Sequence, residues 1–591
     1  MVVMRRTFIF CVAALLAVSA GGAVPAASAA PLPTTQGAYG AVFRDSGGRE
    51  IVLRGFNVAG SAKLAENGLL PFKSRADAAK SAQAMRDLTG ANAIRFLISW
   101  EGVQPSRNTI DYGYLDRAIE QLREFTDRGI HVLLDYHQDL YSAHLFDDDS
   151  WYDGDGAPKW VIDLGDYPDE SCGICFLWGQ NMQNNGAVRE AIYDFWRNEY
   201  GVQDAYLTQA GAAMRYLQQR LPSAAFDKIV GLDPFNEPFD GGLDGGSGVE
   251  WEARWLMPFY QKIRAKMDES GWAAKPAYVE PLVFWNTGFF EQGGLSTISP
   301  LGTRYVFNTH YYDGARITLD PSAAGDGTYA AAMNRIRDRA KSLATAPFVS
   351  EFGNSFHSDR TPWMIRSMYQ GMDAGVRGAN WWGSPASGGT VLSNTMWHWD
   401  IYNGQHEEPG DGWNDEDHSA VALDSSGAVV TRLDRRVLDR LYPTAVSGST
   451  LAFAYEDLAR SGYGGAGTQQ AWLTVPTSLP TVRALASGRQ YGVLVWRGTA
   501  GTTELHLPGS FAPASTAVVS DVGAVFGVPG SGAVSTALEE GSATARRLLV
   551  DAGTGVHVAL VVNAAGGTVT AAQLAAARSE LAAWRAQHFP S

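Results

Sequence analysis

Between about residue 40 and residue 440, short apolar runs alternate with stretches of helical periodicity, and this rhythm leaves the chain few folds to choose from. Candidate strands are Ile51–Val58, Ala93–Ile98, His131–Tyr136, Ile229–Pro234, Tyr278–Trp285, Tyr305–His310, Phe348–Glu351 and Gly378–Trp382. Between two of them, Asp111–Arg128 sets Tyr114, Leu115, Ala118, Ile119, Leu122 and Phe125 on one helical face. Gln203–Arg220 and Ala330–Leu343 have similar patterns. Strands alternating with helices make a parallel sheet, and eight such units close it into a (β/α)8 TIM barrel.

After about Pro443 the texture changes. Gln470–Val475, Tyr491–Trp496 and Thr503–Leu507 are β-rich runs separated by Gly, Pro and Ser, and Ala571–Ala586 is an amphipathic helix. That pattern predicts a C-terminal β-sandwich. The expected division is therefore 1–30, 31–442 for the barrel, and 443–591 for the sandwich with its terminal helix. Residues 1–30 read as a signal peptide: Arg5 and Arg6, an apolar run from Phe8 to Val18, then small residues at Ala27-Ser28-Ala29. A secreted protein, and a monomer, is the expectation.

The formal net charge is −15, which argues against a nucleic-acid partner, since phosphate binding needs clustered Lys and Arg. Beyond the signal, Cys172 and Cys175 are the two remaining cysteines; in an exported chain a local disulfide is the expected state. A zinc site would need two more ligands at suitable spacing, and the acidic stretch Asp147–Gly156 does not match a calcium loop.

The chemistry is carried by two motifs. Asn236-Glu237-Pro238 follows the fourth candidate strand and Ser350-Glu351-Phe352-Gly353 the seventh. Both glutamates fall at the barrel mouth, on opposite sides. Cleavage of a glycoside with retention needs two carboxyls about 5 Å apart, one protonated to assist the leaving oxygen and one ionised to attack. Arg95 is placed to keep Glu351 charged, and Tyr312 to hold it in register. His137, Asp139 and His310 fall on the same rim. Asn236 is placed to bond a sugar 2-hydroxyl. Trp382 is expected to floor the sugar subsite. A second Glu-Pro, Glu280-Pro281, is given no role.

Arg95, His137, Asn236-Glu237-Pro238, His310, Tyr312, Glu351 and Trp382 together resemble glycoside hydrolase family 5. Gly55-Phe56-Asn57 with nearby Lys63, Trp100-Glu101-Gly102-Val103-Gln104-Pro105 and His137-Gln138-Asp139-Leu140-Tyr141-Ser142 are similar to its bacterial endoglycoceramidases. The resemblance covers roughly residues 45 to 445. It implies an enzyme that cuts between glycan and ceramide, with Glu237 as acid/base and Glu351 as nucleophile. It further implies Lys63, Asp139 and His137 as sugar ligands, no cofactor, and transient contact with lipid micelles or a membrane surface. Asp147–Gln180 and Trp381-Trp382-Gly383-Ser384-Pro385 depart from that pattern. A lipid aglycone needs an apolar groove, for which Leu64, Leu69, Leu70, Pro71 and Phe72 are candidates for one wall and Trp255, Leu256 and Phe259 for another. A β-glucosidase or endoglucanase, or a non-catalytic sugar-binding barrel, are the alternatives.

Overall fold

In the computed structural model the described residues are 29–590, apart from 66–67, 148–149, 151, 174, 176–177, 243–244, 287–292, 299, 319–323, 357–359, 375–380, 384, 386–388, 407–416, 460–472, 513–514, 522–546, 566 and 568. Almost all of the expected signal peptide, and the start of the Gln470–Val475 run, thus lie outside the described residues.

Eight parallel strands close on themselves in chain order: Arg54–Val58, Ala93–Ser99, His131–His137, Ile229–Asp233, Ala277–Val279, Tyr305–Tyr311, Ala346–Phe352 and Ser393–Met396. Every residue in them is buried except Tyr305, as befits strands covered by helices outside and by packed side chains within. The helices start where their caps say. Asp111 accepts from the Tyr114 amide at the head of Tyr112–Thr126, whose Leu115, Ala118, Leu122 and Phe125 are buried. Ser74 does the same for Arg75–Thr89, which ends at Gly90 in the left-handed conformation.

The eighth strand is not where the apolar pattern put it. Trp381–Gly383 is a short 3-10 turn, and the strand that pairs with both the first and the seventh is Ser393–Met396. Ser-Asn-Thr-Met is a polar strand that survives burial because its side chains serve the neighbouring backbones. Ser393 Oγ accepts from the Leu53 amide, Asn394 donates to the Leu392 carbonyl, and Thr395 donates to the Ser350 carbonyl at 2.6 Å. Trp381 and Trp382 are apolar for another reason: they pack on Trp584 of the C-terminal helix Ala571–His588.

The C-terminal β module is an eight-stranded antiparallel sheet built from both ends of the described chain. Leu32–Thr34, Val42–Arg44 and Glu50–Ile51 line up beside Tyr442–Val446, followed by the long strands Tyr491–His506 and Arg547–Asn563 and then Thr516–Ser520. Gly448–Glu456 pairs with Tyr491–Gly498. The expected division after residue 442 therefore falls inside a strand, and residues 32–51 belong to the sheet. Apolar clusters line its two faces, one around Val493, Leu560 and Leu581, the other around Phe453, Trp496 and Val561.

Buried ion pairs join sheet to barrel. Arg366, on the barrel helix Thr361–Ala374, reaches Asp457 at 2.6 Å, Glu456 at 3.2 Å and Asp326. Arg440 reaches Asp457 at 2.6 Å and Asp373 at 3.2 Å, and Asp373 also takes Arg54. No described helix is long and apolar enough to cross a membrane.

Candidate active site

Arg95 lies inside the second strand, fully buried, and is the floor of the site. Its Nη1 donates to Glu351 Oε1 at 2.6 Å and to Asn57 at 3.1 Å. Nη2 donates to Asp135 at 2.9 Å, Asp233 at 2.9 Å and Asn236 at 2.8 Å, and lies 3.4 Å from Glu280. Burial alone would lower the guanidinium's pKa; Asp135, Asp233, Glu351 and Glu280 outweigh it and push its pKa up.

Glu351, at the end of the seventh strand, takes a second hydrogen bond from the Tyr312 hydroxyl at 3.0 Å. Burial raises its pKa above the ordinary carboxylate value, against the pull of His310 and Arg95. The next glycine in the motif has a steric reason: a Cβ on Gly353 would lie 2.6 Å from the Trp397 carbonyl, where the seventh and eighth strand ends meet.

Glu237 follows the fourth strand with φ of +43°, a conformation non-glycine residues rarely adopt. Gln138 holds this turn by donating to the Asn236 carbonyl at 2.6 Å and the Glu237 carbonyl at 3.3 Å. The Glu237 amide donates to Glu280 Oε2 at 3.3 Å. His310 stands between the carboxyls, its Nδ1 2.8 Å from Glu237 Oε1 and 3.4 Å from Glu351 Oε2. The nearest Glu237 and Glu351 oxygens lie within 4.8 Å of one another. That is the spacing of a nucleophile and an acid/base, and too close for the water-filled gap of about 6.5–9.5 Å in inverting enzymes.

Beside this pair lies a buried polar cluster. Lys63 bonds Asp139, whose pKa is lowered because the ammonium overrides the burial that would raise it. His137 has Asp135 at 2.8 Å on Nδ1 and Asp139 at 3.3 Å on Nε2, and burial drives its pKa down to about 3. Asn236 donates to Asp139 at 3.4 Å. The aromatic wall is Trp397, directly after the eighth strand, stacked on His137 with centroids 5.5 Å apart and with Lys63 Nζ 4.6 Å from its ring. Its peptide bond to His398 is cis.

Of the sequence-predicted residues, Lys63, Arg95, His137, Asp139, Asn236, Glu237, His310, Tyr312 and Glu351 come together. Trp382 does not: it is buried against Trp381 and Trp584 at the interface with the C-terminal helix, and Trp397 stands in the place expected for it. Glu280, given no role from the sequence, also lies at the site. It follows the fifth strand, faces His310 Nε2 at 3.2 Å, and burial pushes its pKa up to about 8. The expected apolar walls also fail. Leu64, Leu70, Phe72, Leu256 and Phe259 are buried in the barrel packing, Phe72 against Phe125. Trp255 is half-buried and covered by Arg197 and Arg254. The expected clip between Cys172 and Cys175 is formed.

Among the described residues, two trios have metal-ligand chemistry, His137–Asp139–Asp155 and Glu237–His310–Glu351. Each already faces a protein cation, Lys63 in the first and Arg95 in the second, which answers the negative charge that a metal would otherwise balance.

The family model described as Cellulase (glycosyl hydrolase family 5) matches residues 45–385. Endoglycoceramidase I of Rhodococcus hoagii is 29% identical over 213 residues, 33% of this chain and 37% of the relative. A glucosylceramidase of Aspergillus fumigatus is 32% identical over 141 residues, 21% of this chain and 18% of its own length. The chain thus spans well under half the length of these curated relatives. Among solved structures, endo-glycoceramidase II from Rhodococcus sp. superposes with a TM-score of 0.60 at 21% identity, over 88% of this chain and 99% of that one. Cryptococcus neoformans sterylglucosidase 1 gives 0.63 at 14% identity, over 92% and 98%. With the family model matched over more than half of its length, the chain belongs to glycosyl hydrolase family 5.

Proposed function

We propose that this protein is a glycoside hydrolase that cleaves the β-linkage between glycan and ceramide in glycosphingolipids with retention of configuration. The observation that carries retention is the Glu237–Glu351 pair, with oxygens within 4.8 Å and His310 between them. Glu237 gives its proton to the glycosidic oxygen while Glu351 attacks the anomeric carbon. The carbon–oxygen bond breaks, ceramide leaves as an alcohol, and the glycan is held as an ester of Glu351. Water then gives a proton to Glu237 and attacks the same carbon, freeing the glycan and restoring both carboxyls. Lys63, His137, Asp139 and Trp397 hold the sugar next to the scissile bond.

The substrate class rests on the relatives named endoglycoceramidase and glucosylceramidase. With the expected walls packed away, Val283 and Phe284 are partly buried apolar residues beside the turn that carries the acid/base. The Val283 amide donates to the Pro238 carbonyl at 3.0 Å, and the turn Trp178–Gln180 runs against the Phe284 ring. These partly buried rings and chains are the proposed aglycone contact and the point of touch with micelles. Export by residues 1–30 is part of the same proposal.

The test is mass-spectrometric product analysis on mixed glycosphingolipids and soluble β-glucosides, with wild type and Phe284→Asp. Free ceramide plus intact oligosaccharide is expected, and the variant should lose glycolipid turnover while keeping aryl-glycoside turnover. Monosaccharide alone would move the enzyme to a β-glucosidase reading. That reading is favoured by one observation: most of the apolar residues expected to form the groove are buried in the core.

A further inference from the structure

Glu237 sits in a bend outside any strand or helix, yet four successive carbonyls there are each taken by a donor. Gln138 Nε2 donates to the Asn236 carbonyl at 2.6 Å and to the Glu237 carbonyl at 3.3 Å. The Val283 amide donates to the Pro238 carbonyl at 3.0 Å, and the Trp196 indole donates to the Phe239 carbonyl at 2.8 Å. Gln138 follows the third strand directly. The last two donors come from farther off, and both lead back to one place, Trp251-Glu252.

Glu252 is fully buried. Its Oε1 accepts from the Leu282 amide at 2.9 Å and its Oε2 from the Leu295 amide at 2.7 Å, so one carboxyl ties down two points of the segment after the fifth strand. Gly293 lets the carboxyl in, since a Cβ there would lie 2.6 Å from Glu252 Oε1. Leu282 directly precedes Val283, whose amide reaches Pro238. On the other side, Trp251 packs edge-on against Trp196 with ring centroids 5.2 Å apart, and Trp196 is carried by the helix Gly186–Arg197. Trp251 and Glu252 lie where a π-helical turn, Glu252–Leu256, joins the helices Gly248–Trp251 and Met257–Glu269. Such turns are uncommon and recur at functional sites.

We propose that Glu252 and Trp196 are positioning residues for the general acid: through the Pro238 and Phe239 carbonyls they hold the bend from which the Glu237 carboxyl reaches the leaving oxygen. This rests on the retaining reading above. The bend needs such a brace. Glu237 has φ of +43°, and a non-glycine residue stays in that conformation only where its surroundings over-determine it. A general acid must also stay within hydrogen-bond reach of the oxygen it protonates, and a displacement of about 1 Å costs up to about 100-fold in rate. Glu252 and Trp196 are both buried, so they act through the bend and not on the substrate.

Glu252→Gln keeps the shape but sets an NH2 donor against an amide N–H, so one of the two bonds is lost whichever oxygen is replaced. Trp196→Phe removes the indole N–H and keeps a ring against Trp251. The readout is kcat/KM on aryl β-glycosides of graded leaving-group ability, at about pH 7.5, above the value of about 7 to which burial pushes the Glu252 pKa. Each variant should lose about tenfold on the phenyl glycoside, whose oxygen needs the proton, and less than about twofold on the dinitrophenyl glycoside, whose phenolate leaves without one. Glu237→Ala sets the full size of that signature. No loss, or a loss of equal size on every leaving group, in either variant overturns the proposal. Should Glu252→Gln fail to fold, Trp196→Phe decides by the same measure. Wild-type protein with no turnover of any aryl β-glycoside, or Glu237→Ala with no leaving-group dependence, would sink the retaining reading and the brace with it. Steep dependence in Glu237→Ala beside flat losses in the other two would sink the brace alone.

Discussion

Glu351 is asked to be charged in a place that disfavours charge. Burial raises its pKa, and Arg95, His310 and the Tyr312 hydroxyl offset part of that cost. The acid side of the activity profile follows. In the proposed mechanism Glu351 acts ionised, so activity should fall as pH drops through its raised pKa, above the ordinary glutamate range. Tyr312→Phe removes a donor that favours the carboxylate, so the pKa rises further. The acid limb of kcat/KM should shift upward by about one pH unit; an unmoved limb in a pH–rate profile would contradict this reading. Single residues of this kind were legible in the sequence because each follows an apolar run ending in polar residues, as in Asp135-Tyr136-His137-Gln138-Asp139. Glu280 was not, because it sits in Tyr278–Trp285, an otherwise apolar run, and its partners come from other strands.

At the scale of elements, seven barrel strands could be found by apolarity and one could not. Ser393–Met396 hides its polarity by bonding the backbones beside it, whereas Trp381 and Trp382 are apolar because a helix from the far end of the chain covers them. Apolar runs report burial without saying by what. The two tryptophans should therefore separate on substitution. Trp397→Ala removes the aromatic wall beside His137 and Lys63, and kcat/KM should fall about 100-fold with little change in melting temperature. Trp382→Ala, at a fully buried site, should cost about 3–5 kcal/mol in chemical denaturation while the folded fraction keeps its kcat. Equal kinetic damage from both would return Trp382 to the sugar site.

Across the whole molecule, the Arg366–Asp457–Arg440–Asp373–Arg54 chain of ion pairs makes barrel and sheet one body. Arg366 and Arg440 hold Asp457 well below the usual carboxylate range against burial. A depressed pKa contributes stability that is present above the unfolded value, about 3.9, and is lost as pH falls through the folded one. Asp457→Asn should cost about 3–5 kcal/mol at pH 7, and the difference should shrink on acidification below about pH 4. Tryptophan fluorescence and activity should be lost in one transition for the wild type; two separate transitions would mean the halves fold independently. Residues 32–51 add an order of events. Their strands have no neighbour to extend the sheet until Tyr442–Val446 is present, and that strand in turn needs Tyr491–His506 and Arg547–Asn563. A growing chain can complete the barrel with the strand at Ser393–Met396, but the sheet must wait until about 170 further residues have been synthesised. A nascent chain halted before that point would carry a finished barrel with an unpaired β edge, ready to adhere to its neighbours.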